Sequence, residues 1–331
     1  MPSGGAIVAE SGIYLVFMTR RESLIVLGAF LASGARGFAA TGTPLTSERG
    51  LMGTRFVVTC HHPDEALVLK ATAAAFEAAG KINEVASDYI ADSELLCLSK
   101  QPAETAIRVS PLLFSLIRQA REYAEKTDGL FDPTLGPLTK LWRESRRRKE
   151  LPDADTLVKA SAACGWKHLV LDAEASTVTF AVPGMRLDLG GIAKGQAADA
   201  MLAVLVKHGL KSSSVTAGGD VRLGDPPPGA KGWKVGIRTS DKNHDSDTLL
   251  LSNCAVSTSG DLQQFVEIDG VRYAHIIDPG TGLGLTRHVA ATVIAPNSTM
   301  SDALATACCI ADAARAANLA KGMGARLIRV G

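Results

Sequence analysis

Aromatic residues are scarce in this chain: Phe, Trp and Tyr together make up 5% of 331 residues. A surface that stacks the bases of a single-stranded nucleic acid needs more of them. The chain also lacks an excess of one charge. Its 35 Lys and Arg face 34 Asp and Glu, a formal net charge of +1, so no bulk field draws it to nucleic acid. The one basic run, "LWRESRRRKELPDADT", is diluted by acids and reads as a solvated helix and loop. None of the six cysteines forms a C-x-x-C pair, which removes the usual zinc and thioredoxin-like patterns. Cys308 and Cys309 are adjacent in an apolar helical stretch, and buried free thiols are the expectation. No internal repeat and no low-complexity segment interrupts the sequence.

What is present is ample core material, 46% hydrophobic, behind a short address label. "MTRRESLIVLGAFLASGARGFAATG" begins at Met18 and carries the pair Arg20 and Arg21. An apolar run over residues 24–32 follows, then small residues near "GFAA". That run is too short to span a bilayer comfortably. The pattern predicts a twin-arginine export signal, cleaved after Ala39 or Ala40, with residues 41–331 as one periplasmic domain. Inner-membrane association through the leader is the alternative.

Beyond the leader, "RGLMGTRFVVTCHH" alternates like a strand. Two amphipathic helices follow, the first opening at Pro63 and Asp64, the second with Ser110 as cap, Pro111 at its first position and Gly129 at its stop. In the second half strands and helices mix without strict alternation. The strands include "SSSVTAGGDVRLG", "WKVGIRTS", "TLLLSNCAVSTSG", "HVAATVIAP" and a hairpin marked by "DG" in "QQFVEIDGVRYAHIIDP". "SDALATACCIADAARAANLAKG" reads as one long helix, and "RLIRVG" as a closing strand. That arrangement predicts an α+β fold with mixed or antiparallel sheets and packed helices.

Four clusters carry chemistry. In "RLDLGGIAKGQAAD" a short strand with Asp188 runs into two glycines, then Lys194 and a helix start. Bare backbone, a helix N-terminus and a cation together suit phosphate. Asp188 would repel phosphate, and suits a hydroxyl, a ring N–H or a metal-bound water. "TAGGDVR" repeats the strand, paired glycines and Asp, here Asp220. In "SDALATA", Ser301 reads as the helix cap, and Asp302 and Thr306 stand four apart on one helix face. A carboxylate and a hydroxyl there make an oxygen site suited to Mg²⁺. In "RYAHIIDPGTG" a strand ends at His275 and Asp278, beside a turn.

These pieces, together with "SDYIADSELLCLSK", "TDGLFDPTLGPLTKLW" and "AVSTSGD", occur in an order that resembles the ApbE family of FAD:protein FMN transferases from about Gly50 to the C-terminus. The resemblance implies an ApbE-like, T-fold-like architecture of two intertwined halves with the active site between them. It implies Mg²⁺-dependent transfer of FMN from FAD to a Thr or Ser hydroxyl of an exported or membrane-bound flavoprotein, with AMP released. It implies Asp302, Thr306 and the Gly191 carbonyl as metal ligands. Lys194 and Asp188 match FAD-contacting positions, and Tyr89 an aromatic that stacks on the flavin. Met52, Leu130, Phe131 and Asp132 match the nucleotide pocket, and Ile277 its wall. His275 is the candidate base for the acceptor hydroxyl, with Asp278 as an orienting group. Two positions depart from the family pattern: Gln196 replaces an aromatic, and Gly280 a larger residue. The same pocket would serve an FAD pyrophosphatase that uses water as acceptor, or a non-catalytic FAD-binding protein. The sequence leaves the acceptor's identity and the oligomeric state open.

Overall fold

The structure is a computed structural model that describes residues 43–237, 247–261 and 264–330. The expected export signal lies outside the described residues. Among the described residues no helix is long and apolar enough to cross a membrane.

The chain opens with a hairpin, β1 (Leu45–Leu51) and β2 (Thr54–Cys60). The sequence reads there as a single strand. The difference lies at Met52 and Gly53, whose φ values of 51° and 71° give the reversed turn that matches strand twist. Next come α1 (Glu65–Ala86), α2 (Glu94–Leu98), β3 (Ile107–Arg108) and α3 (Pro111–Lys126). Asp64 caps α1 by accepting from the Leu67 N–H at 2.9 Å, and Ser110 caps α3 at 3.2 Å from the Leu113 N–H. The chain continues through α4 (Gly136–Arg148), α5 (Ala154–Ala162), β4 (Leu169–Asp172), β5 (Thr177–Phe180) and α6 (Ala193–Lys207). It then forms β6 (Ser213–Ala217), β7 (Asp220–Leu223), β8 (Trp233–Ile237), β9 (Asp247–Leu251) and β10 (Ala255–Gly260). The hairpin β11 (Phe265–Ile268) and β12 (Val271–Ala274) is followed by β13 (Ala290–Ala295), α7 (Ser298–Ile310), α8 (Ala313–Gly322) and β14 (Arg326–Val330).

Seven strands form one sheet in the order β1-β2-β6-β7-β10-β13-β14, every neighbour antiparallel. Smaller antiparallel sheets pair β3-β5-β4, β8-β9 and β11-β12. The α1 helix packs on α6, α6 on α7, and α7 on β10 and β13. This is the α+β class that the mixed pattern predicts.

Four features differ from the sequence reading. The final long helix is two helices, because Ala311 turns extended and Asp312 caps α8 at 2.8 Å from the Arg315 N–H. Arg287 satisfies the carbonyls left open by the break, donating to Cys309 at 2.7 Å and Ala311 at 3.0 Å. Ser301 is not a cap: α7 begins a turn earlier, with Asn297 accepting from the Met300 N–H at 2.9 Å. The basic stretch is anchored, since α4 buries Trp142, whose Nε1 donates to the Ala274 carbonyl at 3.1 Å. The "RLDL" segment is irregular rather than a strand, tied to the body by an isolated bridge between Leu135 and Arg186 and by the Asp188 N–H, which donates to the Pro133 carbonyl at 2.8 Å.

Candidate active site

The start of α6 has no side-chain cap of its own, for Ile192 occupies that position. Its first turn is served from outside. The Gly195 N–H donates to Asp302 Oδ2 at 3.0 Å, so the carboxylate comes from α7. Gly195 allows the two helices this approach. A Cβ there would lie 2.3 Å from the Ser298 carbonyl oxygen and 3.0 Å from the Asp302 Cβ. Lys194 stands beside it, its Nζ 3.3 Å from both Asp302 oxygens and 3.2 Å from Asp220 Oδ2.

Asp220, the first residue of β7, arrives by the β6-β7 hairpin. The sequence shows it as a turn acid and gives no sign that it shares a cation with Asp302. One ammonium therefore serves two buried carboxylates, and Asp220 Oδ2 is buried without a hydrogen bond despite the short distance. Burial and the negative charge of Asp220 push the Asp302 carboxyl up to about 6, against the pull of Lys194. Burial acts to lower the Lys194 pKa, but Asp220 and Asp302 outweigh it and hold the ammonium above its ordinary value.

Four residues along α7, Thr306 donates to or accepts from Ser259 Oγ at 3.2 Å. Ser301 pairs with Ser257 at 2.7 Å, so β10 holds α7 by two hydroxyl contacts. Gly191 faces the same place: its Cβ position lies 3.6 Å from Thr306 Oγ1 and 3.2 Å from the Phe131 ring. Among the described residues no three His, Cys, Asp or Glu side chains converge. The donors gathered here are instead oxygens of mixed type, with two buried carboxylates sharing the single ammonium of Lys194. That set fits a hard divalent cation whose shell is completed by water and phosphate.

A second group adjoins Asp188. Its Oδ1 accepts from the Gly190 N–H at 2.8 Å, and its Oδ2 lies 3.4 Å from an Arg143 nitrogen. Arg143 also binds Asp88, and its guanidinium stacks 4.4 Å from the Tyr89 ring centroid. Burial and the nearby Asp188 raise the Asp88 carboxyl, partly offset by Arg143. Tyr89 presents its ring to solvent at 78% exposure, which is unusual for so large an aromatic without a partner on its outer face. The sequence singles out Tyr89 and Asp188 but not the arginine that joins them. Its cue, "LWRES", reads as a solvated run.

His275 follows β12. Its Nδ1 lies 3.3 Å from the Gln264 carbonyl, which also accepts the His275 backbone N–H at 3.0 Å. Burial lowers the imidazole pKa below 6.5, the Gln264 contact opposes this, and the charges of Arg146 and Lys194 push it further down. Asp278 accepts from the Gly280 N–H at 2.8 Å and shapes the turn. Ile277 is buried with Leu138 and Trp142. Met52 occupies the β1-β2 turn, and Leu130 is partly buried beside Phe131, itself buried against the main core. The Asp132 carboxylate is engaged by the chain: it accepts from the Thr134 N–H at 2.8 Å, the Thr134 hydroxyl at 2.6 Å and the Trp166 N–H at 3.0 Å.

Residues 52–328 match the model of the ApbE family. The chain is 40% identical over 233 residues to an FAD:protein FMN transferase of Treponema pallidum, an alignment covering 66% of this chain and 64% of that protein. It is 31% identical over 231 residues to an FAD:protein FMN transferase of Vibrio cholerae, covering 68% and 69%. The fold superposes on the crystal structure of an ApbE protein from Thermotoga maritima with a TM-score of 0.77 at 31% identity, covering 86% of this chain and 93% of that one. It matches the flavin transferase ApbE from Vibrio cholerae with a TM-score of 0.76 at 26% identity, covering 87% and 94%.

Proposed function

Because the chain belongs to the ApbE family, we propose that it moves FMN from FAD to a Thr or Ser hydroxyl of a flavoprotein and releases AMP. The observation that carries this reading is the shared cation: Lys194 between buried Asp220 and Asp302, with Thr306 and Gly191 beside them. Lys194 compensates one of the two buried carboxylates, and the charge left over is what a bound divalent cation would offset, which a mere carrier of FAD does not need.

Asp302, Thr306 and the Gly191 carbonyl would hold Mg²⁺. When bound, the ion supplies charge neutralisation at the diphosphate and at the leaving phosphate. The chain's own residues do the rest. Lys194 offers a permanent charge to phosphate oxygens, while the first-turn N–H groups of Ala193 and Gly195 are committed to the Leu189 carbonyl and to Asp302. The exposed ring of Tyr89, backed by Arg143, is a platform for the flavin. Asp188, fixed by the Gly190 N–H and by Arg143, is oriented to accept from a ring N–H or hydroxyl. Leu130, Phe131 and Met52 supply apolar surface. Ile277 and Asp132 act from behind, by packing and by holding the turn at Thr134 and Trp166.

His275 takes the proton of the acceptor hydroxyl. Its lowered pKa leaves the imidazole neutral and ready to accept at neutral pH. As the hydroxyl oxygen bonds to the FMN-side phosphorus, the bond from that phosphorus to the bridging oxygen breaks, and AMP departs with the electron pair. The acceptor belongs among exported or membrane-bound flavoproteins, in keeping with a periplasmic location.

The test is incubation with FAD, Mg²⁺ and Thr-containing acceptor, followed by mass spectrometry. FMN joined to the acceptor, equal in amount to AMP released, is the expected result. FMN appearing only free in solution would mean that water is the acceptor, and unbroken FAD would reduce the protein to a binder.

A further inference from the structure

A transferase must hold its protein acceptor as well as its nucleotide, and β11 offers a place. The hairpin β11-β12 pairs Phe265 with Ala274, Val266 with Tyr273, Glu267 with Arg272 and Ile268 with Val271. Asp269 and Gly270 form its two-residue turn, with φ values of 50° and 75°. Hydrogen-bonded and open pairs alternate along such a ladder. The His275 N–H donates to the Gln264 carbonyl at 3.0 Å, and the Ala274 N–H turns the other way, to the Leu285 carbonyl at 2.7 Å. The phase of the ladder follows. Val266 and Ile268 point their backbone groups inward to β12, and Phe265 and Glu267 point theirs outward.

The outer side of β12 is thus closed by the segment at Leu285, whereas β11 pairs only with β12 among the described residues. Free edges are usually short, charged or capped by proline, because an open row of N–H and C=O groups recruits other strands. Here the edge carries one charge, Glu267, and an aromatic, Phe265, that is 48% exposed. Arg272 stacks 3.8 Å from the Phe265 ring centroid and is itself tied to Asp261, so the ring is held in place. The edge also begins beside the proposed base. Gln264, next to Phe265, accepts from the His275 backbone and lies 3.3 Å from its Nδ1.

We propose that β11 is the docking edge for the acceptor: an extended Thr- or Ser-bearing segment pairs along Phe265 and Glu267 as a third strand, with an apolar side chain against Phe265 and its hydroxyl at His275. This rests on the transfer reading given above. Backbone pairing of this kind gives affinity, and the alternate side chains give selectivity. It fits a modifying enzyme that recognises a short stretch of chain rather than a folded surface.

The experiment uses a library of Thr-centred peptides, the full chain, FAD and Mg²⁺. Glu267→Pro removes only an outward-facing N–H, a change that edge strands accept. The variant is expected to raise the peptide KM at least tenfold and to leave the Kd for FAD within twofold of the parent. Independently, a Thr→Val version of the best peptide should slow hydrogen exchange at the Phe265 and Glu267 amides. An unchanged peptide KM in the variant, or unprotected amides at saturating peptide, overturns the docking edge and leaves the transfer reading standing. If the parent releases AMP and free FMN yet labels no peptide, the transfer reading itself fails, and the docking edge with it.

Discussion

Lys194 is the residue on which the site turns, because it is the positive charge placed between Asp220 and Asp302. Lys194→Met would leave two buried carboxylates facing each other, at a cost of about 3 kcal/mol at neutral pH. Asp302 already titrates near 6 with the lysine present, and losing the lysine raises that value further. The sign follows: the variant regains stability as the pH falls and Asp302 takes up a proton. Thermal melts of parent and variant from pH 5 to pH 8 should therefore converge on the acid side, and a constant gap would contradict the charge account. His275 makes the opposite kind of prediction. Its folded-state pKa is depressed by burial, so the imidazole is neutral above that value and protonated below it. The rate of transfer should rise with pH through a midpoint under 6.5 and then level. His275→Asn should lower the rate by about 100-fold and abolish that limb, which a pH-rate profile of both proteins measures.

At the scale of elements, the crossing of α6 and α7 decides the geometry. The Asp199 carboxylate caps α7, accepting from the Ser298 N–H at 2.9 Å, the Thr299 N–H at 2.8 Å and the Thr299 hydroxyl at 2.7 Å. It is also paired with Arg222 of β7 at 2.8 Å. One α6 side chain thus fixes the start of the helix that carries Asp302 and Thr306, while Arg287 closes its far end. Asp199→Ala should destabilise the fold by about 2 kcal/mol through the lost cap and pair, seen as a lower midpoint in urea. Gly195→Ala acts at the contact itself. With the Ser298 carbonyl only 2.3 Å from the new Cβ, the helices must separate, at about 3 kcal/mol. Activity should fall by more than the stability loss explains, because Asp302 moves away from Lys194. Nearby, Gln196 is buried where the family pattern has an aromatic. Its Nε2 donates to the Leu116 carbonyl at 3.1 Å, and its Oε1 has no hydrogen bond.

For the whole molecule, the unsatisfied charge between the strands and helices implies that ligands stabilise the fold. With Mg²⁺ present, FAD at about 100 times its Kd should add about 2.7 kcal/mol, read as a rise in melting temperature that a chelator reverses. Asp302→Asn should remove the Mg²⁺-dependent part of that rise. Much of this molecule is written locally. The caps at Asp64 and Ser110, the "DG" turn at Asp269 and Gly270, and the order of the motifs establish the helices, the hairpin and the family, because caps and turns act over a few residues. The Asp302 and Thr306 spacing is local too, since one helix turn sets it. Other features were out of reach. The sequence runs through the break at Ala311 and through the true start of α7 because the apolar pattern continues across both, and the ends are marked by single polar side chains, Asp312 and Arg287 at the break and Asn297 and Asp199 at the start. The union of Asp220 with Lys194 and Asp302, and of Arg143 with Asp88, Asp188 and Tyr89, joins residues from distant parts of the chain. Short-range chemistry fixed which side chains were available, and long-range packing decided which of them meet, because a charge responds to whatever the fold brings within a few ångströms and not to its neighbours in sequence.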